Sequence, residues 1–139
     1  MNADYLQFSE NLLGGVISRH ALTPVKHDRS SMGEWFVYYE SSEFVLGISK
    51  DRGGYIGIEL GSKIRRKPRA QMRGPWSMSH LRGCLDGKID HFKFKNIREE
   101  VSWLEENEME LFDSSLLNSD ELNQWSVKAS RKLFGQDSK

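Results

Sequence analysis

Apolar positions recur over the first twenty residues at helical spacing: Tyr5, Phe8, Leu12 and Val16, with Leu13 and Ile17 beside them. That spacing predicts an amphipathic helix over 2–22, with Asn2 or Asp4 accepting free N–H groups at its start. Gly14-Gly15 interrupts it at a cost of about 1 kcal/mol per glycine relative to alanine, so the helix is expected to stop there or to pack closely. Residues 23–33, TPVKHDRSSMG, are polar and read as a connection ending at Gly33. Three runs rich in aromatic and β-branched residues follow, EWFVYYE (34–40), EFVLGISK (43–50) and GYIGIELG (54–61), and predict strands joined by short turns.

The alternation also predicts a register. Phe44, Leu46 and Ile48 share one strand face, and Ile56, Ile58 and Leu60 share the next. A three-residue loop, Asp51-Arg52-Gly53, with Gly53 left-handed, pairs 48 with 56 and 46 with 58 and joins the two sets. It also sets Gly47 opposite Gly57, two bare positions that invite close approach by a helix, a ring or a partner. After a basic stretch, SMSHLRGCLDG (77–87) reads as a short helix capped by Ser77 or Ser79, and IDHFKFKN (89–96) as a short strand or extended link. Residues 96–113 carry the apolar stripe Ile97, Val101, Leu104, Leu111 behind an Asn96 cap, with Glu99 and Glu100 in the first turn, where the helix dipole favours acids. A last helix over 119–135 starts at Ser119, buries Leu122, Trp125, Ala129 and Leu133, and stops at Gly135. The expected fold class is therefore α+β: an antiparallel sheet of three to four strands packed with N-terminal and C-terminal helices. One domain over 1–139 is expected, with a short C-terminal tail at 136–139 expected to be mobile.

Composition narrows the class. Hydrophobic residues at 37% and charged residues at 29% are ordinary for a folded domain and unlike a disordered one. No apolar run approaches the roughly 20 residues of a membrane span, and the N-terminus shows no basic region before an apolar stretch, so neither a membrane location nor a secretory signal is expected. One cysteine, Cys84, permits no internal disulfide and fits a reducing, cytoplasmic setting.

The net charge of zero hides two blocks. Residues 63–98 hold eleven Lys/Arg against Asp86 and Asp90, a balance of +9; residues 99–121 hold nine Asp/Glu and no base, a balance of −9. Either the blocks face each other or a charged patch is offered to a partner. The basic stretch KIRRKPRAQMRGPW (63–76) offers Arg65, Arg66, Arg69 and Arg73 to phosphates and Trp76 as a stacking surface, the equipment of a nucleic-acid site. A near-neutral pI of 6.9 argues against a dedicated nucleic-acid binder and ranks protein binding first. The acidic block offers Glu105, Glu106, Glu108, Glu110 and Asp113. Of these Glu108 falls inside the apolar stripe. A carboxylate there implies a kink near Asn107, an internal pair with an arginine from 63–73, or a charge left for a partner. The four histidines form no ligand cluster, and no nucleophile or nucleotide-binding motif occurs. No metal, no cofactor and no enzymatic activity are expected.

The N-terminal helix, the hairpin FVLGISKDRGGYIGIELGS, the W…HLRGCLDG segment and EEVSWLEENEMELFD together resemble the small cytosolic immunity proteins of polymorphic toxins, including contact-dependent growth-inhibition systems. The resemblance implies a non-catalytic bacterial protein that binds a toxin domain and blocks its active site or substrate path. Many such toxins are nucleases, whose basic clefts would suit Glu105, Glu106, Glu110 and Asp113. The chain departs from the simplest form of that picture in being neutral overall. The alternative is a nucleic-acid-binding or regulatory adaptor domain that uses the basic loop 63–76.

Overall fold

A computed structural model describes residues 4–63, 75–87, 94–122 and 124–125. Helix α1 (Asp4–Arg19) is followed by strands β1 (Thr23–Arg29), β2 (Trp35–Glu40), β3 (Phe44–Lys50), β4 (Ile56–Ser62) and β5 (Trp76–Ser77). Helices α2 (Met78–Asp86), α3 (Ile97–Glu106), α4 (Glu108–Leu111) and α5 (Ser114–Leu117) complete the order. The strands form one antiparallel sheet in sequence order, β1-β2-β3-β4-β5. The α+β class expected from the sequence is the one observed, with five strands rather than three or four.

The additional strands are those that hydrophobic alternation cannot reveal. Residues 23–29, expected as a connection, form edge strand β1, and every side chain in it is exposed. Its pairing with β2 rests on backbone hydrogen bonds. Pro24, Lys26 and a register shift between them blunt the open edge against further pairing. β5 is two residues long and is held by Leu60↔Trp76 and Glu59↔Ser77.

The β3–β4 register differs by two residues from the expected one: Ile48 pairs with Ile58 and Leu46 with Leu60. The turn is longer because Asp51 closes it twice, its N–H donating to the Tyr55 carbonyl at 2.9 Å and its carboxylate accepting the Tyr55 N–H at 3.0 Å. The left-handed residue is Gly54 at φ 91°, not Gly53. An even shift keeps both apolar sets on one face, so the inner face survives the change. Gly47 consequently lies opposite Glu59, and Gly57 opposite Ser49. Close approach does occur at both glycines: a Cβ at Gly47 would lie 2.5 Å from the Tyr38 ring, and one at Gly57 2.8 Å from the Tyr55 ring.

Val37, Tyr39, Leu46, Ile48, Ile58 and Leu60 form the buried sheet face. Leu13 and Val16 of α1, Val101 and Leu104 of α3, and Leu111, Leu117 and Leu122 complete one core cluster with them. One polar contact registers α1 on the sheet. Ser9 Oγ donates to the Leu6 carbonyl at 2.9 Å, so its 2.6 Å contact with Tyr39 is a bond donated by the tyrosine.

Helix α1 passes unbroken through Gly14-Gly15, and the bare position at Gly15 leaves room for the Arg19 guanidinium, 3.0 Å from where a Cβ would sit. The helix ends in a Schellman arrangement, with the Leu22 N–H on the Ile17 carbonyl at 2.9 Å and Ala21 left-handed at φ 51°. Glycine suits that position better than alanine, so Ala21→Gly is expected to raise the unfolding free energy by about 0.5–1 kcal/mol, measured by urea denaturation.

Helix α2 has the expected ends, with Ser77 Oγ accepting the His80 N–H at 3.1 Å and Gly87 left-handed at φ 72°. The helix expected over 96–113 begins at its Asn96 cap but breaks at Asn107 into α3 and α4. The Asp113 side chain then caps α5. Ser119 Oγ accepts the Leu122 N–H at 3.3 Å, as a cap of the last helix should. The remainder of that helix beyond 125, the tail 136–139 and most of the link 89–96 lie outside the described residues. Among the described residues no helix is long and apolar enough to cross a membrane.

Candidate functional site

The C-terminus of α1 meets the break between α3 and α4, and three side chains decide what that junction can do. Arg19 grips the Glu108 carboxylate with both arms of its guanidinium, Nε at 2.9 Å and Nη2 at 2.7 Å. His20 Nε2 lies 2.7 Å from Glu108 Oε2, the oxygen that also accepts from Arg19 Nε. The arginine holds the Glu108 carboxyl below the usual range against the opposing effect of burial, and His20 adds a second hydrogen bond. The carboxylate is thus ionised and accepts, so His20 Nε2 carries the proton it donates. The imidazole is fixed from its other side by Phe112, parallel at 3.7 Å between ring centres.

Glu108, read as one member of an acidic partner-binding patch, is therefore buried and consumed inside the fold. Both internal explanations apply together, since the helix does break at Asn107 and a cation does reach the carboxylate. Among the described residues that cation is Arg19; the arginines of 63–73 lie outside them. A C-terminal helix turn is a favourable place for Arg and His, and bringing that end to Glu108 satisfies the dipole and the buried acid at once.

The other acids of the patch divide by their bonds. Glu105 is half-exposed and stands 3.8 Å from Arg19, a weaker contact than that of Glu108. Asp113 is exposed but accepts the Ser115 N–H at 2.9 Å as the α5 cap. Glu106 and Glu110 are exposed and make no ion pair among the described residues. Between them stands Met109, which is 90% exposed and has the highest exposure of the large hydrophobic side chains described. The structure thus leaves a thioether flanked by two free carboxylates on the α3–α4 corner.

The basic stretch is divided differently. Arg65, Arg66, Arg69 and Arg73 lie outside the described residues. Trp76 does not offer a stacking surface: it is 5% exposed, and its indole N–H donates to the Leu117 carbonyl at 2.9 Å. Its ring stacks on His80 at 4.9 Å. Pro-Trp at the end of a basic run marks the return of the chain to the sheet at β5, where an aromatic residue on the inner face is drawn into the core. Among the described residues, the acidic block is neutralised from α1 at Glu105 and Glu108.

The sequence places Glu100 in a helix first turn as an acid favoured by the dipole, and the structure buries it to 1% exposure. Its Oε1 accepts the Ile58 N–H at 3.0 Å and its Oε2 accepts the Tyr55 hydroxyl at 2.7 Å. β5 pairs only with residues 59 and 60, so the carboxylate satisfies the β4 edge just beyond it. Burial raises the Glu100 carboxyl above its usual range, with both hydrogen bonds opposing, and burial also raises the Tyr55 hydroxyl. The signal was available: at 100° per residue Glu100 lies beside Leu104 and Leu111 on the apolar stripe. Cys84 is half-buried and its thiol is pushed up by burial, as expected of an inert packing residue.

Among the described residues no group of three or more His, Cys, Asp or Glu side chains could hold a metal ion. Comparison of the chain with protein-family models, with curated proteins and with solved structures finds no match.

Proposed function

We propose that this chain is a non-catalytic binding protein that acts in the bacterial cytoplasm as an immunity protein, occupying a basic surface on a cognate toxin domain. The observation that carries the reading is the α3–α4 corner, where Met109 stands exposed between the unpaired Glu106 and Glu110. An exposed methionine is a flexible apolar anchor of a type enriched at interfaces, while free carboxylates steer a positively charged partner and set its orientation. A nuclease domain has such a surface where it holds phosphates. With Glu108 committed to Arg19, the contact set is Glu105, Glu106, Met109, Glu110 and the outer oxygen of Asp113.

Affinity capture with the tagged protein, after nuclease treatment of the lysate, tests the reading. One stoichiometric protein partner is expected. The triple variant Glu106→Lys/Met109→Ala/Glu110→Lys should bind it at least tenfold more weakly while unfolding at the same urea concentration, because all three side chains are exposed. Partners that disappear on nuclease treatment would instead favour nucleic-acid binding by 63–76. The burial of Trp76 leaves that alternative to the arginines alone.

A further inference from the structure

We propose a second site at the opposite end of the sheet, a cleft that binds a small planar aromatic molecule carrying one carboxylate. The meander places the β1–β2 and β3–β4 turns at one end, and α1 begins there because its C-terminus feeds β1 at the other. Between the first turns of α1 and the strand ends lies a cleft of about 420 Å³. Its apolar walls are Tyr5, Phe8, Trp35 and Ile56. That volume is at the low end of the range for ligand sites, about 300–1,000 Å³, and suits one or two fused rings rather than a dinucleotide.

The walls are set before any ligand arrives. Tyr5 stacks on Trp35 at 5.6 Å with 25° between planes, and its hydroxyl is held 2.9 Å from His27 Nδ1. Phe8 meets the same indole edge-on at 5.9 Å while remaining 37% exposed. A planar ring entering this corner finds aromatic faces and edges already oriented.

Charge selects the anion. Arg29 and Lys50 both line the cleft, and neither has a carboxylate within ion-pair distance among the described residues. Arg29 is instead held over the Tyr5 ring, 5.8 Å from its centre. Asp4 lies on the rim as well and leaves one positive charge in excess. The Trp35 indole N–H, unlike that of Trp76, has no acceptor among the described residues. A guanidinium and an ammonium beside an aromatic floor match a carboxylate attached to a ring. The adjoining groove across the ends of β1–β3 shares Arg29, Trp35 and Lys50 but adds Asp28 and Glu34, so its charge carries no anion preference. This site is separate from the α3–α4 corner, and its test is independent of the function proposed there.

The probe is naphthalene-1-carboxylate, titrated into ¹⁵N-labelled protein while the Trp35 indole resonance, assigned by its loss in Trp35→Phe, is followed. A saturable shift of that resonance is expected. Naphthalene-1-methanol, the neutral isostere, should bind at least tenfold more weakly, and Arg29→Gln/Lys50→Gln should reduce the carboxylate to the level of the alcohol. The comparison of the two probes on the wild-type chain decides the matter even if the double variant is unstable. Equal binding of acid and alcohol, or an acid whose shifts leave the Trp35 indole unmoved, would overturn the proposal.

Discussion

Replacement of Trp76 by alanine is expected to lower the unfolding free energy by about 3–5 kcal/mol, the range for removing a buried aromatic side chain. The ring is 5% exposed and lies against the core, so the cavity left behind has little freedom to collapse. The loss also strips the Leu117 carbonyl of its indole partner. Trp76→Phe separates the two contributions. It retains most of the apolar volume and gives up the hydrogen bond, and should cost about 1–2 kcal/mol. Urea denaturation of both variants measures this, provided the slope of unfolding free energy against urea stays constant across the set. A tryptophan serving as an exposed stacking platform would change stability by only a few tenths of a kcal/mol, so the same data separate the core role from the nucleic-acid one.

The second large effect concerns Glu100. Glu100→Leu leaves the Ile58 N–H buried without an acceptor and is expected to cost about 1–3 kcal/mol. Glu100→Gln is expected to be neutral or stabilising at pH 7. Its amide oxygen accepts from Ile58, its amide nitrogen donates to the Tyr55 oxygen, and a buried charge is removed.

The two buried carboxylates of this region titrate in opposite senses. The Glu100 carboxyl is raised in the folded state, so that state holds its proton more tightly than the unfolded chain does. The stability from this group is fully present below the ordinary carboxyl value of about 4.5, and is lost as pH rises through the folded value. The Glu108 carboxyl is lowered by Arg19, so its contribution is present above about 4.5 and is lost as pH falls through the folded value. Stability measured against pH should therefore lose part of its acid limb in Glu108→Gln and part of its decline above pH 4.5 in Glu100→Gln.

The legible parts of the fold were those that bury one face at a fixed period. Strands β2 to β4, helices α1 and α2 and the start of α3 follow from alternation, helical stripes and caps at Ser77 and Asn96. β1 was hidden because an edge strand with both faces exposed has no hydrophobic alternation, and its pairing lies in the backbone. The two-residue error in the β3–β4 hairpin came from crediting Gly53 with the left-handed position. Asp51 carries a longer turn that puts Gly54 there, and nothing in the apolar pattern separates registers that differ by two. At the candidate site, the misfit of Glu108 in an apolar stripe was visible in the sequence. Its partners were not, because Arg19 and His20 are 89 and 88 residues away and only the tertiary fold brings them there. The exposure of Met109 was legible as well: at 100° per residue it falls beside Ser102 on the polar face, away from the Val101, Leu104 and Leu111 stripe.

Hydrogen exchange on the captured complex tests the central claim most directly, by locating the amides that a bound partner protects. Slowed exchange concentrated in residues 104–113, with little change across 63–76, is the result this account predicts. Protection confined to 63–76 or to the β1 edge, with the Met109 corner exchanging as in the free protein, would contradict it.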